Sequence, residues 1–291
     1  MPIQIASETN LANAQRIAIA ECRYTAEHSA PCVNLVEKFT LAPGEKQITV
    51  PKVGQMSADD LTDGQDITTS KAIGMSTVDL TTGEVGLKVI LSDKLVRQSQ
   101  PDMFRVIGRQ MGDGMARKMD TDIIALFTSL NGSTTLGVAD CTWTVSMLGS
   151  YMSFAKVAKY PKPIFIVHHP YAVRDLVAAI TLTPMATYPI PQGYAQDLLG
   201  DFWKLTMNGI PVFEDGNIVP DSSDDGIGCI ASRAAMCTVQ SVAPYTERER
   251  DASLRAWEVV VVSDYGCFEL DDSYGAPITI DCAAPGDLYT S

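Results

Sequence analysis

Along one stretch of the chain, Pro101 to Leu130, apolar residues recur at every fourth position: Met103, Ile107, Met111, Met115, Met119, Ile123 and Phe127. The pattern predicts a long helix. An α-helix turns about 100° per residue, so a four-residue spacing drifts by about 40° at each step, and the stripe winds until its two ends face different partners. Pro101 and Asp102 suit a first turn, Asp113 and Arg117 pair at i,i+4, and Asn131-Gly132 supplies a left-handed stop just past the end. At about 1.5 Å per residue the helix is roughly 40 Å long. Gly108, Gly112 and Gly114 interrupt it, and each glycine inside a helix costs on the order of 1 kcal/mol against alanine. Either a neighbour packs closely there or the helix has to bend.

The patterning elsewhere is shorter in range. Residues 8–27 have apolar positions at Leu11, Ala14, Ile17 and Ala18, which predicts a partly exposed helix, either a mobile arm or a segment docked on a neighbour. From Lys38 to Ile90 the character is β, with strands expected at Glu45–Val53, Lys71–Leu80 and Val85–Leu91. The polar loop GQMSADDLTDGQDITTS, residues 54–70, separates the first two. So long a loop tends to be functional. An isolated two-stranded hairpin is marginal in water, so this excursion is expected to lie on another subunit.

Beyond the long helix, Val145–Val157 reads as a helix, Pro163–Val167 as a buried strand, His168–Pro170 as a turn and Tyr171–Ile180 as a helix, an αβα alternation. A segment with Pro184, Pro189, Pro191 and Gly193 follows, then strands at Gly209–Phe213 and Ile227–Ala231. Two strong strands, Met236–Val242 and Leu254–Tyr265, flank PYTERERDAS. The second returns to cover the first half of the long helix, which nothing else in the chain can do.

Composition narrows the function classes. With 291 residues, 46% of them apolar, the chain folds around one large core or two small ones. No run approaches the ~18 apolar residues of a membrane span, and the N-terminus lacks a basic segment followed by an apolar one. The chain is thus expected to be neither exported by a signal peptide nor embedded in a membrane. Seven cysteines, at 22, 32, 141, 229, 237, 267 and 282, contain no C-x-x-C and make no disulfide framework, as in a reducing cytoplasm. A net charge of −13 argues against gripping nucleic acid, which needs clustered Lys and Arg.

The order of these pieces resembles the major capsid proteins of tailed double-stranded DNA phages, the Hong Kong 97-type fold. VGLKVILSDKLVRQSQPDMFRVIGRQM resembles that family's strand, short helix and start of the spine helix; KPIFIVHHPYAVRDLVAAI its axial strand-turn-helix; GIPVFEDGNIV its "G-x-P-V" strand; and LRAWEVVVVSDYGCFEL its closing strands. The resemblance covers nearly the whole chain from about residue 35 and rests on order and spacing. It implies an α+β fold with an N-terminal arm (1–38), an extended hairpin or E-loop region (39–91), a peripheral domain with the spine helix (92–135 and 241–291) and an axial domain (136–240). No charged helical extension precedes the arm, so no fused scaffolding domain is expected.

The implied work is structural rather than enzymatic. Pentamers and hexamers of the chain would close into an icosahedral head, assembled in the host cytoplasm, around DNA contacted weakly and without sequence specificity. Separate scaffolding, portal and cement proteins are the other partners, with no cofactor and no membrane. The implied subunit contacts are Lys52, Gln55, Asp59, Asp60, Asp63, Asp66 and Lys71 on the E-loop, and Glu247, Arg248, Glu249, Arg250 and Asp251 where symmetry mates meet at threefold positions. Without the resemblance, that second set reads as a solvated turn. Gly108, Gly112 and Gly114 become a spine hinge, against the alternative of close packing. An encapsulin-like compartment and an αβα-domain enzyme are the alternative readings.

Chemical candidates are thin. Cys22, His28 and Cys32 do not match zinc spacing and lack a fourth ligand. His168-His169 before Pro170 reads as a polar cap at a strand end. The glycines form no phosphate loop, because they lie within the helix pattern and no Lys-Ser/Thr follows. No nucleophile–base pair has positional support.

Overall fold

The computed structural model describes residues 31–42, 44–53, 58–60, 63–64, 66, 70, 74–98, 103–182, 203–207 and 209–285. In chain order these hold β1 (Glu37–Thr40), β2 (Gln47–Val53), β3 (Met75–Thr81), β4 (Gly83–Ser92), α1 (Asp93–Gln98) and the spine helix α2 (Met103–Ala125). Then come β5 (Leu136–Gly137), α3 (Val145–Val157), β6 (Ile164–His168), α4 (Pro170–Leu182), β7 (Trp203–Met207), β8 (Ile210–Glu214) and β9 (Asp225–Ser232). The chain closes with β10 (Met236–Asp251), β11 (Ala256–Glu269) and β12 (Gly275–Asp281).

Three sheets result: β1-β10-β11-β4, β5-β12-β9-β6-β8-β7, and the two-stranded β2-β3. In the first, β1 runs parallel to β10 and the other pairs are antiparallel. In the second, β6–β8 and β5–β12 are parallel. α3 starts from Thr144, whose hydroxyl accepts from the Met147 N–H, and its Leu148, Tyr151, Met152 and Ala155 are buried against Ile166, Ile230 and Ile278 of the six-stranded sheet.

α2 joins the two sheets. Its first half buries Ile107, Met111 and Met115 against Val259 and Val261 of β11 and Leu91 of β4. The second half, continued by a 3-10 segment at Leu126–Ser133, buries Ile123, Phe127 and Leu130 in another core with Phe165, Val167, Cys229 and Met236. Met119, midway, is half-buried. The winding stripe therefore delivers its ends to different partners, and Asn131 (φ 56°) and Gly132 (φ 59°) take the left-handed stop. On β11 the odd positions face the helix, with Val259, Val261, Ser263 and Tyr265 all buried, as a period of two requires.

Three expectations change. The 39–91 region is not one excursion: only β2–β3 is a separate hairpin, while β1 and β4 are edge strands of the four-stranded sheet. ERERD is not a loop, because β10 runs to Asp251 in register with β11 and the turn is Ala252–Arg255. The 241–291 segment does not all pack with α2, since β12 pairs with β9 in the six-stranded sheet and Ala276, Ile278 and Ile280 are buried in that core. The expected helix at 8–27 and the Pro/Gly segment around 184–193 lie outside the described residues.

Phe127 is 1% exposed among residues from α2, β6 and β9. Phe127→Ala is expected to cost about 3–5 kcal/mol, read as a lower denaturant midpoint at unchanged m-value.

Candidate intersubunit surfaces

β2 and β3 pair from Gln47↔Thr81 to Val53↔Met75, and their base is anchored. Ile48, Val50 and Val78 lean on a core of Leu41, Leu80, Cys237 and Val239. Farther out, Thr49 Oγ1 donates to Asp79 at 2.7 Å on an exposed surface. Lys52, expected to reach a neighbour, instead binds Asp271 of its own chain at 2.6 Å; that contact helps hold the Asp271 carboxyl below the usual carboxylate range, although burial opposes it. Asp59, Asp60, Asp63 and Asp66 are exposed, while Gln55 and Lys71 lie outside the described residues.

The outer half of β10 forms a second surface. β1 covers only Cys237–Gln240 of that strand, so from Ser241 onward the edge opposite β11 has no strand beside it among the described residues. Register shifts at Gln240/Val242 and Val242/Tyr245 mark the point where the strand changes surroundings. Glu247, Arg248 and Glu249, with Glu258 and Val260, line a shallow open groove of about 430 Å³.

The other two members of the charged set are engaged within the chain. Arg250 pairs with Asp93 of α1 at 3.0 Å. Asp251 is a turn former: its Oδ1 accepts from the Ser253 N–H at 2.7 Å, the Ser253 hydroxyl at 2.6 Å and the Leu254 N–H at 3.1 Å. Those bonds, the Ser253 hydroxyl first, hold its carboxyl below the usual range. Glu258 opposes Glu249 across the ladder and is compensated by Lys88 at 2.6 Å.

On the spine helix, a Cβ added at Gly108 or Gly112 meets nothing within 4 Å, and at Gly114 it meets only Leu87 Cδ2 at 3.8 Å. Among the described residues, close packing therefore does not account for these glycines. α2 runs as continuous helix through all three.

The chemical candidates are structural. His168 is fully buried: its Nδ1 accepts from the His169 N–H at 2.9 Å and its Nε2 faces the Ile278 carbonyl at 3.3 Å, the tautomer with hydrogen on Nε2. Burial pushes its pKa down to about 3, so it stays neutral. Cys32 is buried and its thiol donates to Asp215 at 3.1 Å; Cys22 and His28 lie outside the described residues. The six described cysteines are free thiols. Among the described residues no helix is long and apolar enough to cross a membrane.

Residues 76–276 match a family model described as phage capsid protein. No characterised protein matches the chain by sequence. Among solved structures, the capsid of cyanophage P-SCSP1u is similar at 16% identity and a TM-score of 0.64, covering 86% of this chain and 87% of that one. The capsid of cyanophage Pam1 is similar at 12% identity and a TM-score of 0.66, covering 83% and 86%. An encapsulin from Synechococcus elongatus PCC 7942 reaches 0.62 at 11% identity, covering 90% of each chain. At these identities the structural matches establish the fold, which is the α+β capsid fold.

Gly112 is exposed and helical, so Gly112→Ala is expected to stabilise the subunit by up to about 1 kcal/mol. A higher melting temperature checks this; a lower one would return the glycine to a packing role.

Proposed function

The chain belongs to the phage capsid protein family, and from that premise we propose that it is a major capsid protein whose copies assemble as hexamers and pentamers into an icosahedral head around double-stranded DNA. The family match over residues 76–276 carries this reading. Assembly takes place in the host cytoplasm, with scaffolding, portal and cement functions supplied by separate proteins. A net charge of −13 fits a wall that packaged DNA touches weakly and without sequence specificity. An encapsulin-like shell is the second reading, favoured by the encapsulin's coverage of 90% of this chain.

In this reading the hairpin beyond Lys52, with Asp59, Asp60, Asp63 and Asp66, lies across an adjacent subunit, and Glu247, Arg248 and Glu249 meet symmetry mates. α2 with the four-stranded sheet is the peripheral domain, the six-stranded sheet with α3 and α4 the axial domain, and Gly108, Gly112 and Gly114 let the spine bend as the shell matures.

Electron microscopy of the purified protein, with nucleic acid measured in the particles, tests the reading. Megadalton icosahedral shells are expected; a small oligomer overturns it, and shells that hold enzyme cargo and never DNA select the encapsulin reading. Replacing residues 54–70 by a short Gly-Ser turn is expected to leave a soluble, folded protein that no longer closes shells.

The charged strand end separates two effects. Arg248 has no ion pair among the described residues, whereas Arg250 is held by Asp93. Exposed pairs are each worth about 0–1 kcal/mol, but one repeated at every symmetry contact accumulates. Arg248→Glu is expected to impair assembly at low salt without changing the melting temperature, while Arg250→Glu lowers both. Wild-type assembly by Arg248→Glu returns this stretch to a solvated edge.

A further inference from the structure

Between the two halves of α2 a polar network is set into apolar core, with the half-buried Asn217 at its outer side. Asp120 is 0% exposed, Cys32 1% and Asp215 2%. They come from the spine helix, from the 3-10 turn Cys32–Asn34 where the described chain begins, and from the residue after β8. The Cys32 N–H donates to Asp120 Oδ1 at 2.9 Å and its thiol to Asp215 Oδ2 at 3.1 Å. Asn217 completes the ring, its side-chain amide donating to Asp120 Oδ2 at 2.8 Å and its N–H to Asp215 Oδ1 at 2.9 Å. The Asp215 N–H is itself fixed by the His168 carbonyl at 3.0 Å.

The two carboxyl groups face each other: with the Cys32 sulfur they bring one atom each to within 4.8 Å of one another. Two ionised carboxylates so close in a buried place repel each other, which favours a proton on one of them. The facing groups supply little compensating charge. Cys229 on β9 and Cys267 on β11 are thiols that burial keeps protonated, and burial lowers the pKa of His169, beyond β6. On α2 itself Arg117 and Lys118 precede Asp120, and Lys118 is committed to Asp122 at 2.5 Å, which also accepts from the Tyr265 hydroxyl at 2.9 Å.

We propose that Asp120 keeps a proton where it faces the Asp215 carboxyl, and that this proton is a pH-sensitive latch fastening the turn at Cys32 to the spine helix and to the loop after β8. Burial first, and then the neighbouring Asp215 carboxyl, push the Asp120 carboxyl up from 3.8 to about 8. An acid raised on folding keeps its proton in the folded chain after the unfolded chain has lost it. The stabilisation is therefore complete below about pH 4 and is lost as pH rises through about 8. Above that, two buried charges oppose each other beside the Cys32 thiol. The chain just before β1, which enters this core through Cys32 and Val36, is the part that lets go. In the shell reading this segment is the end of the N-terminal arm, but the latch belongs to the subunit and is tested without assembly.

The test is infrared spectroscopy of the full-length protein, with amide exchange over residues 31–40 corrected for the intrinsic effect of pH. At about pH 6.5 the wild type is expected to show the carbonyl band of a buried protonated carboxylic acid, absent at about pH 9.5 and absent in Asp120→Asn or Asp215→Asn. Exchange over 31–40 should rise at least roughly tenfold across that range in the wild type and stay flat in Asp120→Asn, whose amide replaces the protonated acid. A wild type without the band at about pH 6.5, or an Asp120→Asn variant with the wild-type pH response, overturns the latch. If neither variant folds, the wild-type band and its loss on titration decide the matter.

Discussion

A helix whose apolar stripe advances about 40° every four residues cannot lie flat on one surface, and the subunit is arranged around that constraint. Ile107, Met111 and Met115 belong to the core under β4 and β11, while Ile123, Phe127 and Leu130 belong to the core under β6 and β9. The two sheets need not touch extensively, because one helix belongs to both cores. The handover falls at Met119 and Asp120, where the stripe faces neither sheet squarely. A fully buried aspartate is tolerated there because Cys32 and Asn217 satisfy its oxygens. The same helix explains the topology at the C-terminus: β11 covers its first half, and β12 crosses into the other sheet beside β9.

What could be read in the sequence was what repeats locally. The spine helix, its left-handed stop, α3 and the strand-turn-helix from Ile164 follow from periodicity and caps, and they lie within a few residues of expectation. The misreadings share a cause, since each depended on a partner distant in sequence. Glu247–Asp251 has no apolar alternation and reads as a turn, yet its ladder with Trp257–Val260 and Ala256 makes it a strand, a case of tertiary pairing overriding propensity. β12 carries Pro277, which weakens the strand signal of a short apolar run, and it gains its strand character between β5 and β9.

The site residues divide along the same line. Asp251 reads as one more exposed charge, but its spacing to Ser253 is that of a side chain closing its own turn, a signal present in the sequence. Lys52 and Asp271 are 219 residues apart, and no local pattern joins them. Nor does any local pattern separate Asp120, which is buried, from Asp122, which pairs with Lys118 on the surface. Burial of a polar residue on an amphipathic helix is set by what the far end of the chain lays over it.

The exposed half of β10 has the opposite problem, an excess of backbone hydrogen-bonding capacity with no strand beside it among the described residues. A long bare edge normally invites indiscriminate pairing, and among the described residues β10 has no strand beside it where Glu247, Arg248 and Glu249 stand. Alternating charge makes that edge selective: an incoming strand meets like charges in most registers, and only a partner presenting the complementary order offsets the loss of hydration. Each pair is individually weak, so the preference becomes decisive only when many identical edges are brought together by symmetry. In the proposed shell, such an edge and a hairpin reaching beyond its anchored base would serve many copies acting together, with the net charge of −13 opposing contacts that do not match charge to charge.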